Sequence, residues 1–572
     1  MNKKTLKVSM VLLASALAAG TITACSKGGN DKPQNTATTA SDNGFTKGKF
    51  NEPVSLTTIG CLNSTFKFKS GESLDNNLHT KYFKDNLNID IKYKYITAQD
   101  QCTNKIRLEM AANEPMPDVM YIGDPQLMAD LIDSGKMMDI SQAFEKYASP
   151  ELKKMYAPDP SYWAQVTKDG KRYGIPLLAR AQQNDPLLWI RTDYLKKLNM
   201  QAPKTLDDLE KVMDAMVNTD LGKGKNNPPL AMSLKGNGGS QWDGPVSWRG
   251  DASWIFGGFG TIPTYWNKWH GDNVEYGSIQ PETKQALAKL ADWFKKGYIS
   301  ADVGLIDVGK SDDTFRTGKA GITASPVFTA GIVRNYVQKN DAAATVEPFP
   351  IPTGPSGKAG RHFTALPTGA LMVSKDYKNV DALFLYLNKL VEISNPAPGS
   401  EFEKGWKEGY DYVMKDGKVS KVEADFPDKT AVNPSKYFLV NQPIIDPQIE
   451  LETQMKFYNG GKPSNPYEQI LYDTIPDSEK KDPKLVNEWL GAKIVTEQKA
   501  ASLANLFQGP QTETMKAKGE ALSKMESETF LKIIYGKSSV DEFDTFVKNW
   551  KSMGGDKITE EVNAWYKSTS GK

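Results

Sequence analysis

Histidine and cysteine are nearly missing from this chain, with three of each among 572 residues. Three scattered His cannot make a three-histidine metal centre at any regular spacing, and no HExxH, CxxC or GxSxG pattern occurs. Three Cys are too few for a disulfide scaffold. Charge of one sign is lacking too: 71 Lys and Arg stand against 69 Asp and Glu, a formal +2. That balance offers no extended positive field for tracking phosphates, so nucleic acid is not expected as a partner. After the N-terminal segment no apolar run is long enough to span a bilayer, so a helical channel or permease is not expected either. What is present is ample: 39% of residues are hydrophobic, and the length predicts two or more lobes.

Residues 1–24 combine Lys3, Lys4 and Lys7 with an apolar run from Val8 to Ala19 and small residues before Cys25, the pattern of a secretory signal. Ile22-Thr23-Ala24-Cys25 resembles the bacterial lipobox, in which the Cys becomes diacylglycerol-modified. Ser26 to Lys49 is rich in Gly, Ser, Thr, Asn and Lys and reads as a flexible tether over 25–49. Two acyl chains bury enough methylenes for stable anchoring. Removing residues 1–24 takes away three Lys and no acid, so the formal charge passes from +2 to −1. In an exported, oxidising setting the other two cysteines, Cys61 and Cys102, are expected to pair. Both follow strand-like runs, Val54 to Ile59 and Ile89 to Ile96, and neighbouring strands would bring them within reach.

Strand-like and helical patterns alternate from Val54 onward: strands at 54–59, 89–96 and 118–122, helices at 73–87 and around 105–112. This alternation predicts an α/β fold with a parallel sheet. Thr205-Leu206-Asp207-Asp208 reads as a capped helix start, and Pro281 opens a second amphipathic helix. Gly304 to Ser311 satisfies GxxxxGKS but follows a helix rather than a strand, so a phosphate-binding loop is rejected. Asp207-Asp208 and Asp312-Asp313 are adjacent, diverge on a helix or strand, and cannot flank one glycosidic bond.

Several segments together resemble the extracellular solute-binding lipoproteins of carbohydrate ABC transporters, the large Gram-positive type. They are Met116-Pro117-Asp118-Val119-Met120-Tyr121, Lys171 to Leu177, Ile190 to Leu198 with Ala202 to Asp207, Phe315 to Ala320, and Phe530 to Trp550. The resemblance implies a two-lobed periplasmic-binding-protein (type II) fold with a cleft between lobes joined by crossover hinges. Lobe 1 would begin over 50–176 and lobe 2 over 177–362, with 363–572 returning to lobe 1, then lobe 2 and the C-terminal helices. It implies a monomer without cofactor that captures a sugar and passes it to ABC permease subunits. Many relatives carry a calcium loop where this chain has Asn218 to Pro228; with one Asp there, and Lys223 and Lys225 beside it, no Ca²⁺ is expected.

An oligosaccharide presents apolar faces rimmed by hydroxyls, so its site needs aromatic rings and planar hydrogen-bonding groups. Five of the 12 Trp fall between Trp242 and Trp269. Trp242, Trp248 and Trp254 are the candidate stacking residues, with Arg249 as donor, while Trp266 and Trp269 read as structural. Arg180, Gln182 and Asn184 lie in polar sequence at the first crossover. Asn63 and Asp124 follow strands, where ligands of open α/β sheets bind. Phe328, Arg361 and His362 complete the candidate set. A peptide, lipid or other solute receptor on the same fold and a secreted polysaccharide-degrading enzyme are the alternatives; the enzyme lacks a recognisable acid/base pair.

Overall fold

The computed structural model describes residues 45–46, 48–62, 66, 68–181, 184–219, 221, 227–235, 244–363, 367–440 and 442–569. Strand β1 (Val54–Leu62) alternates buried and half-buried positions at its start and pairs in parallel with β2 (Ile89–Ala98). Helix α1 (Leu78–Leu87) connects them. Its entry is fixed by Asn77, whose side chain accepts from the backbone N–H of His79 and Thr80 while Thr80 Oγ1 accepts from the Asn77 N–H. It stops at Asn88, in the left-handed region at φ 60°. Helix α2 (Gln99–Ala111) follows directly and carries Cys102 against β1, where it is joined to Cys61 with Cα atoms 5.9 Å apart. The helix begins earlier than its apolar spacing suggested, so Cys102 lies inside it rather than in a loop beyond the strand. Asp118 accepts from the Thr57 N–H and hydroxyl, both at 2.7 Å, tying β3 (Val119–Ile122) to β1. Helix α3 (Pro125–Asp133) starts from β3 with Asp124 as its cap.

The chain then forms β4 (Gly174–Leu178) and crosses to β5 (Leu187–Arg191), α4 (Leu206–Val217), β6 (Leu230–Ala231), α5 (Ser253–Gly257), α6 (Pro281–Lys295), α7 (Val308–Arg316), β7 (Ile322–Ser325) and β8 (Val346–Phe349). Thr205 and Asp208 cap α4 reciprocally, and Pro281 opens α6. The GxxxxGKS stretch runs from a short 3₁₀ turn at Val303–Leu305 into α7, with no strand before it. β5 is buried throughout, and its period of two divides it: Leu188 and Ile190 join one core, Leu187 and Trp189 another on the opposite face.

A return passage gives β9 (Arg361–His362), β10 (Pro367–Val373) and α8 (Val380–Ser394); beyond them lie α9 (Ile449–Tyr458), α10 (Asn487–Glu497), β11 (Ser502–Leu503), α11 (Glu513–Ile534), α12 (Glu542–Trp550) and α13 (Asp556–Thr569). One large core gathers β1–β4, β10, α8 and Phe438, Leu439, Val440 and Ile444, and another gathers α4, α6, α11 and α12 on the sheet of β5. β1 and β2 pair in parallel as the alternation in sequence predicts, but the three-stranded and four-stranded sheets are not wholly parallel. β10 lies between β3 and β4 and is antiparallel to both, and β5 is antiparallel to β7 and β8. The reason is connectivity: a strand entered from a crossover starts at the edge where its neighbours end. Among the described residues, no helix is long and apolar enough to cross a membrane.

Candidate functional site

The crossovers bring two sheet edges together. On the first lobe, β3 and β4 end where β10 begins: Tyr121 Oη donates to the Thr368 carbonyl at 3.0 Å, and Pro367 lies opposite Leu178. On the second, β5 begins where β7 and β8 end. The candidate residues on the second edge are carried by turns. At Gly250 (φ +67°) a Cβ would meet Ser311 Oγ at 2.1 Å, so only glycine lets the chain turn between Arg249 and Asp251. Trp248 is 48% exposed, and Phe328, three residues beyond β7, is 39% exposed. Their ring centroids are 5.3 Å apart, tilted at 52°. Two large rings are thus left facing solvent side by side, against the usual pull of burial.

Arg249 holds this pair from behind. Its guanidinium lies 5.1 Å from the Trp248 ring and donates through Nη1 to Asp312 Oδ2 at 2.7 Å. Asp312, on α7, also accepts from Arg316 Nη1 at 3.0 Å. Burial pushes its carboxyl up while both guanidiniums pull it down. Next to Phe328 opens a cavity of about 360 Å³ that Arg180, Asn184, Glu450 and Trp489 also line. Arg180 Nη1 meets Glu450 Oε2 at 2.6 Å across it. Arg180, Asn184 and Phe328, expected from separate stretches of sequence, therefore meet in one place.

Asp124 stands on the opposite lobe. Its Oδ1 accepts from the N–H groups of Gln126 and Leu127, capping α3, and its Oδ2 takes an ion pair from Arg107 at 3.0 Å. It lines a cavity of about 650 Å³ whose other wall is Gly509, Gln511 and Lys516 from the start of α11. A second cavity, about 380 Å³, runs from Asp124 past the disulfide to Phe66 and Lys436. Sequence reading missed Glu450, Gln511, Phe66 and Lys436. No local pattern marks them, because each is brought to the junction by segments distant from the candidates they join.

Three candidates are corrected. Trp254 is fully buried in α5, where its Nε1 donates to the Asp251 carbonyl at 2.9 Å and its ring packs near Trp293; it has no face for a ligand. Arg361 is equally buried, its Nε 3.3 Å from Asp185 Oδ2 and its Nη1 bonded to Gln498. Burial pushes Asp185 up and Arg361 down, against their mutual attraction. His362 is 3% exposed and bonds Asp251 and Ser253 through Nδ1. All three satisfy buried polar or apolar contacts of the crossovers and second lobe, which is why they are enclosed. Trp266 is also buried, at 4% exposure, against Tyr276. Asn63, Gln182, Trp242 and Cys25 lie outside the described residues, as do Asp220 and residues 222–226 of the expected calcium-free loop.

A lobed α/β scaffold with exposed aromatics and paired ions along the junction of its sheets is the arrangement of a solute receptor. Residues 67–392, more than half of the chain, match the model of the bacterial extracellular solute-binding protein family, and the chain belongs to that family. It is 24% identical to Lipoprotein LipO of Bacillus subtilis over 82% of this chain and 84% of that one. Identity is also 24% to the polygalacturonan/rhamnogalacturonan-binding protein YtcQ of the same organism, over 81% and 83%. A solute-binding protein of Bifidobacterium longum infantis, described as binding HMO and associated with an ABC transporter, shares the fold at TM-score 0.60 and 16% identity, covering 90% of this chain and 99% of that one. The family is one of binding proteins.

Proposed function

We propose that this protein is a lipid-anchored extracellular receptor that captures an oligosaccharide between its lobes and delivers it to an ABC importer. The observation that carries the reading is the exposed Trp248–Phe328 pair, flanked by Arg249 and by the cavity of Arg180 and Asn184. Sugar C–H faces stack on such rings, and guanidinium, amide and carboxylate groups match the hydroxyl rim. The names of its relatives, one a pectic-polysaccharide binder and one a lipoprotein, support both halves of the reading. The work is hinge closure: ligand binds the closed form better and shifts the population by that difference in affinity. Cys25 would carry the lipid, and the protein would act as a monomer without cofactor. Adding the right glycan is expected to raise Tm and change Trp fluorescence. If a broad glycan panel did neither while a peptide did, the peptide reading would replace this one. A Cys25→Ala variant is expected in the medium rather than the membrane fraction.

A further inference from the structure

We infer that the cleft selects an uncharged saccharide and discriminates against uronates and other anionic glycans; this rests on the carbohydrate reading above. In each of four cavities that the described residues form along the lobe junction, cationic and carboxylate side chains are equal in number. Most of these cations are held in ion pairs. Arg107 is bound by Asp124 and Asp130 at 3.0 and 2.9 Å, and Lys516 by Glu513 at 2.9 Å. Arg180 meets Glu450 at 2.6 Å, and Arg334 is forked between Glu479 and Glu488. Behind the aromatic pair, Arg249 is taken by Asp312.

Of the other three, Lys436 and Lys268 lie over the rings of Phe66 and Tyr566, at 5.7 and 5.3 Å, in cavities that also hold acids, and Lys567 shares its cavity with Asp159 and Asp272. The two helix starts that face each other across the 650 Å³ cavity are occupied as well. Asp124 caps α3, and α11 begins with Thr512 as cap and Glu513 in its first turn. Neither offers the bare N–H groups and positive end that an anion seeks.

An incoming carboxylate would have to displace a resident carboxylate from its cation, gaining no ion pair on balance and leaving the resident acid unpaired. A sugar hydroxyl both donates and accepts, so it adds to a guanidinium–carboxylate pair without breaking it.

The test is native mass spectrometry of the whole protein with two pools. One holds neutral digests of arabinoxylan, galactomannan, levan and starch; the other holds acidic digests of polygalacturonan, alginate and hyaluronan. Calorimetry on whatever is retained follows, at 50 and 500 mM NaCl. Expected is retention from the neutral pool only, with affinity changing less than twofold between the salts. Retention from the acidic pool, with affinity falling several-fold in salt, would overturn the inference and leave the carbohydrate reading standing. Retention from neither would overturn the carbohydrate reading itself. Glu450→Gln, which frees the half-exposed Arg180, is expected to raise affinity for tetragalacturonate at least tenfold over the parent; no gain would refute the role given to the pairing.

Discussion

Six positions separate Trp248 from Trp254, yet one ring faces solvent and the other is enclosed. The consequence is a divergence among three alanine variants. Trp248→Ala and Phe328→Ala are each expected to weaken glycan binding by tenfold or more, since a stacking ring contributes roughly 1.5–3 kcal/mol, with little change in the urea midpoint. Trp254→Ala is expected to lower stability by about 3–5 kcal/mol, which urea unfolding would register, while retained folded protein still binds.

At the same scale, buried His79 is hydrogen-bonded through Nε2 to the Tyr386 hydroxyl at 3.0 Å, and that hydroxyl accepts from the Leu439 N–H. Burial lowers the His79 pKa to about 3, below its ordinary 6.5. A lowered folded value means the neutral ring's contribution is whole above pH 6.5 and is lost as pH falls toward 3, about 2 kcal/mol by pH 5. His79→Gln should flatten that acid limb of stability against pH. His362 acts in the opposite sense: burial lowers its pKa, Asp251 and Asp185 together raise it more, and the net is upward. Its contribution is present below pH 6.5 and lost as pH climbs through the raised value, so His79→Gln should leave the alkaline limb in place.

Among elements, the disulfide and the crossover cluster matter most. The bond between β1 and α2 closes 41 residues of separation, a loop for which the chain-entropy account gives roughly 3–4 kcal/mol. The double variant Cys61→Ala/Cys102→Ala should lose about that in urea unfolding, and reducing the parent should reproduce it. At the crossovers, Asp185 from the first passage, Arg361 from the second and Ser502 on β11 share one buried cluster. Arg361→Met leaves an unpaired buried carboxylate and should cost about 3–5 kcal/mol, whereas Asp185→Leu/Arg361→Met together should cost markedly less. Thermal unfolding of the four proteins as a cycle would decide it. Local signals made several elements legible in sequence: the reciprocal cap at Thr205 and Asp208 and the Pro281 start need only neighbouring residues. Strand polarity was not legible, because β10 and β5 owe their direction to which lobe the chain has just left.

For the whole molecule, the junction matters more than either lobe. It gathers Arg180, Phe328 and Glu450 at one cavity and sets Asp124 opposite Gln511 at another. Composition and local pattern determined the export signature, the near-zero net charge, the α/β class and the enrichment of Trp in one stretch. These depend on residue type and short-range spacing alone, and so survive without coordinates. Which aromatic faces outward, which arginine is a buried strut and which acid neutralises each cation were decided by tertiary structure. Burial and ion pairing are properties of surfaces meeting, and here those surfaces come from segments hundreds of residues apart.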